Sequence, residues 1–149
     1  MVELNDYSHL LSRVRVLVVE DDGMVRSILV EYLESWGFKH IEAANHSRHA
    51  AKLLADEKQP FDLVLSDWQM PDVDGLELLR MVRRIPFRKD TKFIMITSQV
   101  PEERVKVAKA IEAGVDAYVV KPFKGEFLRQ KIWSILGWDK ASGGGSDAA

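Results

Sequence analysis

Val16-Leu17-Val18-Val19-Glu20-Asp21-Asp22 is an apolar run of strand length that ends abruptly in three acidic residues. A strand that is apolar at every position has both faces covered, the mark of a parallel sheet between layers of helix. Working outward, the same pattern recurs. Phe61-Asp62-Leu63-Val64-Leu65-Ser66 runs into Asp67, Phe93-Ile94-Met95-Ile96 into Thr97-Ser98, and Tyr118-Val119-Val120 into Lys121-Pro122. Phe38 to Ala44 reads as one more strand, second in chain order. In an open α/β sheet the carboxyl ends of the strands form the crevice where ligands bind. Four distant pieces of chain therefore converge on one acidic pocket that holds a hydroxyl and a lysine.

Segments of helical period separate the strands. Met24, Val25, Ile28, Leu29, Tyr32, Leu33 and Trp36 fall on one stripe, and Gly37 stops that helix. Ala50, Ala51, Leu53 and Leu54 mark the second helix, which ends before Pro60. Met70 to Gly75 is a turn, followed by a third helix with Leu76, Leu78, Leu79 and Val82 inward. Pro101 suits the first turn of the fourth, whose expected face is Val105, Ala108 and Ile111 before Gly114. The fifth carries Phe127, Leu128, Ile132, Ile135 and Leu136, closed by Gly137. Five such units joined by right-handed crossovers predict a doubly wound α/β domain.

A chain of 149 residues buries an adequate core as one domain. The expected division is an N-terminal extension over 1–12, the domain over 13–138, and a flexible Gly/Ser-rich tail over 139–149. There is no cysteine, which excludes disulfides, zinc-thiolate sites and thiol catalysis. No apolar run approaches ~20 residues and the start lacks a signal pattern, so a cytoplasmic location without membrane contact is expected. Net charge is −2, yet residues 1–75 hold 7 basic and 14 acidic side chains whereas residues 76–149 hold 14 and 9. Much of the acidic excess lies around the crevice. The basic pairs Arg83-Arg84 and Arg88-Lys89 have no interleaved aromatics, so they read as solvated helix faces and no nucleic-acid partner is expected.

Glu20 and Asp21 close the first strand and Asp67 the third. If these strands are neighbours, like charges about 4 Å apart repel by roughly 4 kcal/mol per pair at an effective dielectric near 20. Either a carboxyl holds its proton or a cation settles among them. An oxygen-only cluster without histidine or cysteine points to Mg²⁺. Asp67 is the candidate nucleophile, because carboxylates form aspartyl-phosphates and need no general base at neutral pH. Phosphoryl transfer needs positioning and charge stabilisation, which Mg²⁺, Lys121 and the Thr97 hydroxyl would supply. Alone, Asp67 would read as a turn or helix cap; beside the other strand-end groups it reads as functional.

The motifs Val18-Val19-Glu20-Asp21-Asp22, Ser66-Asp67-Trp68-Gln69-Met70-Pro71, Asp74-Gly75, Ile96-Thr97-Ser98 and Tyr118-Val119-Val120-Lys121-Pro122-Phe123 occur in order. Together they resemble bacterial two-component response-regulator receiver domains over about Val14 to Leu136. The resemblance implies a flavodoxin-like (βα)5 fold with a five-stranded parallel sheet of order 2-1-3-4-5. It implies that Asp67 is the phosphoacceptor, Asp21 a direct metal ligand with Glu20 beside it, and the Gln69 backbone carbonyl a further ligand to Mg²⁺. Thr97 and Tyr118 resemble the switch pair, and Lys121 the phosphate-pairing lysine, joined to Pro122 by a cis peptide bond. Asp22 aligns one place beyond the acidic pair and is peripheral. The segment between Thr97 and Lys121 is two residues longer than in chemotaxis relatives, near Gln99-Val100-Pro101.

The implied function is a phosphorylation-switched binding module rather than an enzyme, with self-catalysed phosphoryl transfer and slow self-dephosphorylation only. A histidine kinase is the implied phosphodonor, and a downstream protein binds through the fourth helix, fifth strand and fifth helix. No output domain is expected after the fifth helix. Chemotaxis or flagellar motor control is the favoured pathway; a phosphorelay intermediate or a detached receiver of a larger regulator is the alternative. A metal-dependent phosphatase working through an aspartyl-phosphate is the rival of another class. Such enzymes place an acid/base aspartate two residues after the nucleophile, where this chain has Gln69.

Other signals read as ordinary. His46 and His49 lack ligand partners and are expected to be solvated. Met70 and Met81 read as packing, and Trp36 as core. For Trp68 a gating role at the pocket rim and plain packing are both open. An exposed Trp133 or Trp138 would mark an interface.

Overall fold

The computed structural model of the chain describes residues 7–98 and 103–138, with the side chains of 103–106 outside the description. Gln99-Val100-Pro101 and the tail 139–149 therefore lie outside the described residues, as does the side chain of the face residue Val105.

Strands β1 (Arg15–Val19), β2 (His40–Ala44), β3 (Leu63–Asp67), β4 (Lys92–Ser98) and β5 (Ala117–Lys121) form one parallel sheet of order β2-β1-β3-β4-β5. This is the flavodoxin-like arrangement expected from the motifs. Register fixes the crevice: Val19 pairs with Ser66, Asp67 with Ile96, and Ser98 with Lys121, so the strand ends lie side by side.

A short helix α1 (Ser8–Leu11), which the sequence reading did not anticipate, precedes the sheet. The five expected helices follow as α2 (Gly23–Trp36), α3 (Ser47–Ala55), α4 (Gly75–Arg84), α5 (Glu103–Glu112) and α6 (Gly125–Ile135). Alternate residues of each strand feed two cores. Leu17, Val19, Val64, Phe93 and Met95 pack with α3, α4 and Ala110 of α5. Val16, Val18, Leu65, Ile94, Ile96 and Val119 pack with α1, α2 and α6.

The expected faces of α2 and α6 hold at their centres but are narrower than the sequence suggests, and that of α5 is turned by one residue. On α2 the buried positions are Leu29 and Leu33, while Met24 and Ile28 are exposed. On α5 Ala110 is buried and Ala108 and Ile111 are exposed. On α6 Leu128 and Ile132 are buried and Phe127 is exposed. Successive helical residues point roughly 100° apart, so a neighbour of a core position turns toward water.

The segment read as an extension is partly built into the domain. Leu11 is buried, the Tyr7 ring stacks on Trp138, and the Tyr7 hydroxyl donates to the Trp138 carbonyl. Trp133 meets Tyr7, Trp36, Phe38 and Trp138 edge-on, and Trp36 stacks on Tyr32. Trp138 is thus core rather than an exposed interface residue. This aromatic cluster joins the two ends of the domain at the pole opposite the strand-end crevice.

Arg83 and Arg88, expected on solvated helix faces, instead pin the loops. The Arg88 guanidinium, 3 % exposed, donates to the carbonyls of Leu53, Leu54, Asp56 and Gln59 and so closes the end of α3. Arg83 donates to the carbonyls of Thr91 and Gly114 and to Asp116, tying α4 to the start of β5.

Candidate functional site

β1 delivers Glu20 and Asp21 to the crevice. The Glu20 amide donates to the Ala44 carbonyl at 3.1 Å, which extends pairing to β2 by one residue and draws its side chain inward, 1 % exposed. Asp22 has a different task. Its carboxylate caps α2, accepting from the amides of Met24 at 2.9 Å and Val25 at 3.1 Å. Asp21, between them, stays exposed at the mouth.

β3 delivers Asp67, 8 % exposed, and β5 delivers Lys121. Lys121 Nζ lies 3.3 Å from Asp67 Oδ1 and 3.5 Å from Glu20 Oε1, bridging the two buried carboxylates. One carboxylate oxygen from each of Glu20, Asp21 and Asp67 lies within 4.8 Å of the others. Thr97 is buried at the end of β4, its hydroxyl donating to the Ser98 carbonyl at 3.4 Å. The Lys121-Pro122 peptide is cis.

Crowding shows in the protonation equilibria. Burial, reinforced by the Asp67 charge, raises the Glu20 carboxyl to about 7. Burial also raises Asp67, against the pull of Lys121. Burial pulls Lys121 down, but Asp67 and Glu20 outweigh it and the ammonium ends above its ordinary value. Two buried acids with one lysine leave the cluster short of positive charge. A hard divalent cation fits that deficit and the oxygen-only donor set.

The loop after Asp67 completes the rim. Trp68 is 4 % exposed and packs in the core beside Val64 and Met70, so packing rather than rim gating describes it in this conformation. Gln69 is exposed and, with Trp68, Met70, Pro71 and Asp74, lines a shallow opening of about 490 Å³. Asp72 takes a left-handed backbone, φ 70°. Asp74 then caps α4 in a reciprocal box with Glu77. Gly75 is required by proximity: a Cβ there would lie 2.5 Å from the Asp67 carbonyl oxygen and 2.9 Å from Trp68 Cα.

Sequence reasoning passed over Ser47, which sits at the start of α3, 1 % exposed. Its hydroxyl donates to the Pro71 carbonyl at 3.2 Å and accepts from the Val73 amide at 3.3 Å. A serine at a helix start carries no sequence signal for such a long-range contact. His46 is exposed as expected, but its Nδ1 also caps α3 by accepting from the His49 amide. Tyr118 lies away from the acidic pocket; it is 39 % exposed and lines a groove of about 660 Å³ with Ile111, Val115, Val120, Phe127 and Lys131.

Comparison with known proteins agrees with this geometry. Residues 16–133 match the family model described as the response regulator receiver domain. A chemotaxis protein CheY homolog from Campylobacter jejuni is 33 % identical over 129 residues, covering 87 % of this chain and 97 % of that one. The chemotaxis protein CheY of Pseudomonas aeruginosa is 34 % identical over 122 residues, covering 82 % and 95 %. A solved CheY-like receiver domain protein from Methanospirillum hungatei superposes with a TM-score of 0.75 at 30 % identity, covering 89 % and 100 %. The acidic crevice thus stands on a sheet whose order, helices and sequence motifs are those of one family, and the chain belongs to the response regulator receiver domains.

Proposed function

We propose that this receiver accepts a phosphoryl group from a histidine kinase on Asp67 and signals by protein–protein contact. The observation that carries the reading is the Lys121 ammonium held between Asp67 and Glu20 at 3.3 and 3.5 Å, with Asp21 completing the acidic cluster. An Asp67 carboxylate oxygen attacks phosphorus while the donor's bond to phosphorus breaks and its electrons leave with the donor. Lys121 pairs with the arriving phosphoryl oxygens, and the Thr97 hydroxyl turns toward them from β4. Glu20, Asp21, Asp67 and the Gln69 backbone carbonyl are the residues that would hold Mg²⁺. Bound there, Mg²⁺ neutralises the carboxylates and part of the phosphoryl charge. Gln69 offers no acid/base group two residues beyond Asp67, which favours a signalling lifetime over rapid hydrolysis.

Movement of Thr97 couples to Tyr118, whose exposed ring sits in the groove between α5, β5 and α6. That surface receives the downstream protein, and the relatives named as chemotaxis proteins support chemotaxis as the pathway, in which the protein would act in the cytoplasm. Normal spreading in soft agar of a strain lacking the gene would remove that pathway.

Acetyl phosphate with Mg²⁺ tests the acceptor without any kinase. Intact-mass spectrometry is expected to show one added phosphate, base-labile, on the wild type and none on Asp67→Asn. Absence of the adduct, or its location on Ser66 or Thr97, would overturn the assignment.

A further inference from the structure

We infer that Ser47 is a positioning residue for the metal-binding loop. This inference rests on the proposed Mg²⁺ site. Ser47 is 1 % exposed and lies 20 residues before Asp67 in the chain, on an element that contributes no group to the acidic cluster. Its one hydroxyl serves both flanks of Asp72, donating to the Pro71 carbonyl at 3.2 Å and accepting from the Val73 amide at 3.3 Å. Asp72 between them holds a left-handed backbone, φ 70°, a conformation that aspartate tolerates better than most L residues but that still narrows the paths open to the turn. The hydroxyl braces both flanks of that turn from a buried point at the start of α3.

The pinned turn stands between two functional points. Two residues before Pro71 is Gln69, whose carbonyl is the backbone ligand proposed for Mg²⁺. Two residues after Asp72 is Asp74, which caps α4 and sets Gly75 against the Asp67 carbonyl. Fixing Pro71 and Val73 therefore fixes where the Gln69 carbonyl is presented relative to Asp67. The neighbouring Arg48 also reaches this turn, 3.4 Å from Asp72, but both side chains are mostly exposed and such a pair holds weakly. The buried hydroxyl is the stronger fastening. Loss of a group that orients a metal ligand from behind typically weakens metal binding by about 10–100-fold.

The test compares Ser47→Ala with wild type and with Arg48→Ala. Mg²⁺ affinity is measured by calorimetry and by tryptophan emission, chemical denaturation is run without metal, and exchange of the Val73 amide is followed by NMR. Ser47→Ala is expected to weaken Mg²⁺ binding by roughly tenfold, the low end for loss of a ligand-orienting group. It is also expected to speed Val73 exchange selectively in the metal-free protein. Arg48→Ala should stay within about twofold of wild type. If wild type binds Mg²⁺ and Ser47→Ala binds it equally well, losing only stability, the role of Ser47 is overturned while the metal site stands. If wild type itself shows no binding at millimolar Mg²⁺, the metal site fails and this inference with it. Unchanged Val73 exchange in Ser47→Ala also overturns the fastening, independently of any metal.

Discussion

Replacing Glu20 by Gln should make the metal-free domain more stable at neutral pH and remove most of the pH dependence of its stability between about pH 5 and 7. Glu20 is 1 % exposed, and burial with the nearby Asp67 charge raises its carboxyl from 4.5 to about 7. A carboxyl whose value rises on folding is better protonated in the folded state. Its stabilising contribution is therefore complete below the unfolded value and is lost as pH climbs through the folded one. At about 1.4 kcal/mol per unit, the rise corresponds to on the order of 3 kcal/mol lost between pH 4.5 and 7. Glutamine keeps an oxygen for the Asp22 amide, which donates to Glu20 Oε2 at 3.1 Å in the native protein, but carries no charge. Lys121 keeps Asp67 at 3.3 Å as its partner. Urea denaturation followed by circular dichroism, at half-unit steps from pH 4.5 to 8 with chelator, reads the slope directly. Wild type should fall steeply where Glu20→Gln is nearly flat. Saturating Mg²⁺, held by the ionised carboxylates as proposed, should reverse the wild-type slope and help the variant much less. Parallel slopes for the two proteins without metal would refute the reasoning and shift the effect to Asp67.

Two further outcomes are expected. Gly75→Ala forces a Cβ to within 2.5 Å of the Asp67 carbonyl oxygen and 2.7 Å of Met95 Sδ, so the backbone of β3 or α4 must move. Loss of about 1–3 kcal/mol in denaturation, together with slower phosphorylation of Asp67 by acetyl phosphate, checks it. Thr97→Ala should leave phosphorylation of Asp67 possible but confine beryllofluoride-induced NMR shifts to the pocket, whereas wild type should also shift along α5, β5 and α6; identical shift patterns in both would separate Thr97 from the switch.

The parts of the molecule legible in the sequence are those in which chemistry coincides with strand ends. A buried parallel strand is apolar on both faces, so the polar residues that close the run mark the end of the strand, as at Glu20 and at Ser66-Asp67. The parallel sheet is readable from those runs alone, whereas the meeting of Glu20, Asp21, Asp67 and Lys121 also needs the strand order that the family resemblance implies. Helix faces were less determinate. α5 offers Val105, Val107, Ala108, Ala110 and Ile111 in close succession, and rotating the helix by one residue exchanges an inward pair for an outward one. The structure turns Ala110 inward and leaves Ile111 on the groove beside Tyr118. Trp68 was ambiguous for a related reason: adjacency to Asp67 fixes where its backbone lies but not which way its ring turns.

Least legible were contacts in which a polar side chain satisfies a distant backbone. Ser47, Arg88 and Asp116 have ordinary sequence surroundings, yet each answers buried donors or acceptors contributed by another element. Such groups must be satisfied once the chain is compact, but which residue does so depends on register between elements, and periodicity does not encode that. The acidic pocket is therefore specified at two levels. Strand ends supply its charges, and they can be read residue by residue. The loop that shapes its rim is hydrogen-bonded by a serine from a different helix, and only the folded chain reveals that hydroxyl's reach to Pro71 and Val73.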